Sequence, residues 1–84
     1  MAHSPKVVTV YIRRGEAKER LVSFRPPEEI PQAEMIERGY AFDGQSVVKS
    51  VSPTTERTLA VALLEEQREL IAWLGQYGYT VEFK

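Results

Sequence analysis

No cysteine occurs among the 84 residues, which excludes disulfides, iron–sulfur clusters, thiol catalysis and every cysteine zinc site. Histidine occurs once (His3) and aspartate once (Asp43). Neither a histidine-rich metal cage nor a Ser-His-Asp triad can therefore be assembled within one chain. The five glycines stand singly and form no loop that would cradle a phosphate. No apolar run approaches the roughly 20 residues that span a bilayer, and no signal peptide precedes the first strand. A cytoplasmic protein without membrane attachment, metal or cofactor is expected.

What is present is the composition of an ordinary globular domain, 43% hydrophobic and 27% charged. A chain of this length has room for one core, so residues 1–84 are expected to form a single domain with a flexible N-terminus over 1–5. The net charge of -1 hides an asymmetry. Residues 1–25 carry six basic groups against two acidic ones, and residues 26–84 carry five against ten. Such a distribution steers encounters even when the total is near zero.

Residues 6–13 read as a strand, with Val8, Val10 and Ile12 on one face and Val7, Thr9 and Tyr11 on the other. Residues 20–25 read as its hairpin partner across a loop containing Gly15, in preference to a short helix over 16–24. Pro26, Pro27 and Pro31 make 25–31 an extended connector. Pro31 suits the first position of a short helix over 32–38 that ends at Gly39. Residues 40–42 resume as strand, Asp43-Gly44 signals a type I′ turn, and 45–51 return. Ser52-Pro53 reads as the start of a long helix, with Glu56 in its opening turn, running to about Gln76 and stopped at Gly78. A last strand covers 79–83. The order β-β-α-β-β-α-β implies an α+β fold: one mainly antiparallel sheet with one long helix packed across a face.

On the long helix, Leu59, Ala60, Leu63, Leu64, Leu70, Ile71, Leu74 and Tyr77 fall in one apolar arc of roughly 140° at 100° per residue. Gln67 falls near its centre. A buried amide needs partners, so Gln67 either bonds backbone at the sheet edge or lies on a face shared with a second copy. A homodimer through this helix thus stays open. Trp73, just outside the arc, either closes the core or anchors an interface. Glu65, Glu66 and Glu69 alternate with Arg57 and Arg68 on the opposite face, the pattern of a solvated surface and not of a paired-carboxylate catalyst.

Arg38-Gly39-Tyr40-Ala41-Phe42 resembles the first half of the octamer of the RNA-recognition-motif family, and Val10-Tyr11-Ile12 resembles its companion hexamer. The resemblance implies aromatics on adjacent central strands that stack on bases. It covers eight residues and breaks at Asp43-Gly44, where the octamer would continue as strand. A hairpin and a proline connector also replace the helix expected between the two motifs, so the chain is not assigned to that family.

Elimination points to a non-catalytic protein-binding module, not an enzyme. It would be a small regulatory, accessory or inhibitor protein, of the size common among phage-encoded inhibitors, that docks on a larger macromolecular partner. The candidate contact residues are Arg13, Arg14, Lys18, Arg20 and Arg25 on the first hairpin, together with Trp73. Their charge calls for a partner protein with an acidic surface. The alternative is a nucleic-acid-binding protein whose basic β-hairpin tracks a phosphate backbone.

Overall fold

The computed structural model describes residues 6–84, and the stretch 1–5 expected to be flexible, with His3, lies outside the described residues. The elements follow the expected order: β1 (Val7–Arg14), β2 (Arg20–Phe24), α1 (Gln32–Glu37), β3 (Ala41–Asp43), β4 (Ser46–Val51), α2 (Leu59–Gln76) and β5 (Thr80–Phe83). They build one five-stranded sheet in the order β3-β4-β2-β1-β5. All neighbours are antiparallel except β1 and β5, which run parallel. A parallel pair needs a crossover, and α2 supplies it between β4 and β5.

Both helices pack on the same face. Met35 of α1 and Leu70, Trp73 and Leu74 of α2 share one core with Val8, Val10, Val22, Phe24, Val47 and Val51 of the sheet. At the end of each helix a glycine with positive φ, Gly39 (φ 90) and Gly78 (φ 88), turns the chain back towards the sheet. The N–H groups of Tyr40 and Tyr79 then donate to the carbonyls of Met35 and Leu74.

Three expectations are corrected. The long helix begins at Leu59, not at Ser52-Pro53: Thr58 is the cap, its Oγ1 accepting from Val61 N–H at 3.2 Å. Thr54 instead closes its own turn, donating its N–H to Arg57 O and accepting at Oγ1 from the N–H groups of Glu56 and Arg57. With four hydroxyl residues, Ser52, Thr54, Thr55 and Thr58, ahead of the helix, the one next to the first residue that packs on the core prevails. The turn between β3 and β4 has positive φ at Gly44 alone (φ 67), the sign pattern of type II′, because Gln45 keeps negative φ. Finally, the face of α2 that meets the sheet is rotated from the apolar arc. Glu66 and Trp73 are buried, Gln67 is half-buried, and Leu64 and Ile71 are 49% and 52% exposed.

The rotation has a cause in the polar contacts between elements. Glu66 Oε2 accepts from the Tyr40 hydroxyl at 2.7 Å and its Oε1 from Lys49 Nζ at 2.7 Å. Burial first, and then the Glu66 carboxylate, push the Tyr40 hydroxyl far above its ordinary pKa. On the other side, Glu34 of α1 accepts from Tyr77 Oη at 2.6 Å and from Trp73 Nε1 at 2.9 Å. Arg38 lies 4.6 Å from the Trp73 ring centroid. These bonds tie α1 and β4 to α2 through Glu66 and Trp73, which therefore face inward.

The Glu34 bonds set a pH dependence. Those from Tyr77 and then Trp73 hold its carboxyl below the ordinary 4.5. Stabilisation from a depressed carboxylate is present above the unfolded-state value and lost as pH falls through the folded-state one. Thermal unfolding midpoints are accordingly expected to fall below about pH 4.5, and Glu34→Gln to flatten that decline. An identical acid limb in wild type and variant would refute the assignment.

Candidate docking face

The opposite face of the sheet carries no helix. Alternation along β1 sends Val8, Val10 and Ile12 to the core and Val7, Thr9, Tyr11 and Arg13 to the bare side. The register fixes their neighbours. Tyr11 stands opposite Ser23, Arg13 opposite Leu21, and Ser23 opposite Val48. Because Val10 pairs with Phe24 and Phe24 with Val47, Arg25 follows in the gap between Thr9 and Ser46. One row across the sheet thus reads Asp43, Ser46, Arg25, Thr9, Glu82, and the next Ala41, Val48, Ser23, Tyr11.

Tyr11 is 41% exposed near the middle of this face, and the Arg13 guanidinium lies 5.5 Å from its ring centroid. Beside it a groove of about 500 Å³ is walled by Pro26, Pro27 and Glu28 of the connector and by Val7 and Tyr79. Thr9, Ser23, Arg25 and Ser46 also line it. Two adjacent prolines cannot continue the ladder of β2, so the connector leaves the sheet here and forms a rim. Among the described residues neither Arg13 nor Arg25 forms an ion pair; the pairs present are Lys49–Glu66 and Arg57–Glu65. Asp43 and Glu82 sit at the ends of the Arg25 row, two strands away or about 10 Å at 4.8 Å per strand.

The other hairpin residues do not join this group. Arg14 and Arg20 face each other across the strands, with the parity of the core face, and Arg20 Nη1 donates to the Glu19 carbonyl at 3.2 Å. Lys18 is exposed in the turn. The Glu19 carboxylate accepts from Ser50 Oγ and from Glu16 N–H, and these bonds, Ser50 first, hold its pKa below the ordinary 4.5. The basic cluster is thereby divided between the two faces. Trp73 is corrected outright as a contact residue: at 1% exposure it closes the core against Phe24 and Tyr40, with ring centroids 6.2 and 6.3 Å away. Glu66 is likewise removed from the solvated face, whereas Glu65 and Glu69 remain accessible around a smaller polar pit.

The two fragments that resemble the RNA-recognition motif are not brought together. Strands β1 and β3 are separated by β2 and β4, and Tyr40 is buried while Tyr11 is exposed. The hydroxyls of Thr9, Ser23 and Ser46 were not singled out from the sequence. Strand alternation alone placed Thr9 with Tyr11, but neither the strand order nor the course of the proline connector was available to complete the groove.

Among the described residues no helix is long and apolar enough to cross a membrane. Comparison with known protein families, with curated proteins and with solved structures gives no match.

Proposed function

We propose that this chain is a non-catalytic docking module that receives an acidic surface of another, cytoplasmic, protein on the bare face of its sheet, in a regulatory, accessory or inhibitor role. The observation that carries the reading is that Tyr11, Arg13 and Arg25 stand on a helix-free sheet face, with neither guanidinium in an ion pair among the described residues. Tyrosine and arginine are among the residue types enriched at interface anchors. Five strands of about five residues on average present roughly 400 Å² at 4.8 Å per strand and 3.3 Å per residue. That is short of the ~800 Å² per partner of a standard stable interface, so the complex is expected to be transient and micromolar. Its charge contacts lie in solvent and are weakened by salt.

The test is a ¹⁵N NMR titration with a glutamate-rich 12-residue peptide and, separately, a single-stranded 12-nucleotide oligonucleotide. The peptide is expected to shift the amides of Thr9, Tyr11, Arg13, Ser23, Arg25 and Ser46. Joint Arg13→Glu and Arg25→Glu is expected to weaken binding at least tenfold. Peptide shifts absent at millimolar concentration would overturn the reading. Shifts confined to 15–19 with the oligonucleotide bound more tightly would transfer it to nucleic acid.

A further inference from the structure

The solvent side of α2 carries a second surface, separate from the bare sheet face. We infer that it is a self-association face, on which a second copy of the chain lays its own α2 antiparallel about a two-fold axis at Gln67. At 100° per residue Ala60, Val61, Leu64, Ile71, Ala72 and Gly75 fall in an arc of about 120°, and all six are exposed. Val61, Leu64 and Ile71 are each about half exposed. Large aliphatics gathered on one side of a helix form a patch of the kind that marks a contact site. A Cβ at Gly75 would meet nothing within 4 Å. Nothing inside the fold therefore requires a poor helix former there, whereas the close approach of a second helix supplies a reason.

The occupant is a second copy because the surface complements itself. A two-fold contact sets each patch against the same patch turned by 180°. With the axis at Gln67, a residue before it comes level with one equally far after it in the other copy. Leu64 then comes level with Ile71 of the second copy to within one residue, about 1.5 Å. Ala60 meets Gly75 with the same offset, small residue against small residue, and Glu65 meets Arg68. The two-fold also sets each flank of the helix against the same flank of the other copy, and Glu65 and Arg68 share a flank, so opposite charges meet twice. Both groups have capacity for this. Arg68 is in no ion pair among the described residues, and Glu65 spends only Oε1 on Arg57, at 2.6 Å. With 18 residues, α2 is about 27 Å long and about 10 Å wide. A strip of roughly 300 Å² per copy is below the ~800 Å² of a standard interface, so the dimer is weak and concentration-dependent. It joins the helix-bearing sides, leaving both bare sheet faces outward.

Sedimentation equilibrium of the full chain from micromolar to millimolar concentration tests the inference. The weight-average mass is expected to rise towards twice the monomer value. Leu64→Lys with Ile71→Lys should hold the chain monomeric across that range, with circular dichroism unchanged because both side chains already reach solvent. Arg68→Glu is expected to weaken association about tenfold, and adding Glu65→Arg to restore it to within about twofold. A monomer at millimolar concentration would overturn the inference, as would a dimer indifferent to Leu64→Lys with Ile71→Lys. Association lost in Arg68→Glu and not regained in the reversed pair would overturn the antiparallel axis. None of these results bears on the acidic docking face, which the peptide titration reads separately.

Discussion

Trp73→Ala is expected to lower the free energy of unfolding by about 4 kcal/mol, the range for a large aromatic removed from a packed core. The indole is 1% exposed and its ring packs edge-on against Phe24 and tilted against Tyr40. Its Nε1 also donates to Glu34, and Arg38 stacks over it. Truncation removes the ring, opens a cavity, and leaves the Glu34 carboxylate with one donor fewer. Domains have roughly 0.05–0.15 kcal/mol of stability per residue, so for 84 residues a loss of this size takes up between about a third and nearly all of the total. Trp73→Phe keeps most of the apolar volume and loses the N–H donor, and is expected to cost about 1–2 kcal/mol. Urea unfolding checks both, and a loss under 1.5 kcal/mol for the alanine variant would contradict the central place given to the indole.

Glu66→Ala is expected to cost about 2–3 kcal/mol, because it strands the buried Tyr40 hydroxyl and the ammonium of Lys49. The figure stays below the 3–5 kcal/mol of a fully buried broken pair, since the Lys49 side chain is 24% exposed and can return to water. Joint Glu66→Leu and Tyr40→Phe removes the orphaned donor together with its acceptor, and is expected to recover most of the loss. The comparison separates two roles for the carboxylate. If Glu66→Leu alone proved more stable than wild type, Glu66 would be held at a cost to stability, and its bonds to Tyr40 and Lys49 would not be what turns α2 inward.

These two residues also mark where the sequence misleads. The leucines of the long helix define an apolar arc, and a carboxylate between Glu65 and Gln67 reads as solvated by its neighbours' polarity. The helix instead turns until Glu66 meets Tyr40 and Lys49, and Trp73 meets Glu34. Partners 17 to 39 residues away in the chain outweigh the gain from burying Leu64 and Ile71, and no periodicity along a single helix contains that information. The start of α2 fails for a related reason. Ser52, Thr54, Thr55 and Thr58 each carry a hydroxyl competent to cap, and only packing of the following residues selects Thr58.

The order of the seven elements, the proline connector and both left-handed glycines were determined by the sequence alone, because each follows from local constraints: strand alternation, a missing N–H, a φ that only glycine adopts readily. The docking face was decided by the tertiary structure. Its row of Ser46, Arg25 and Thr9 joins three strands through a register. Whether an arginine on a strand is free or neutralised depends on which elements cover its side of the sheet. Both are long-range facts. The chain fixes them only by choosing a strand order and laying its two helices on the same side.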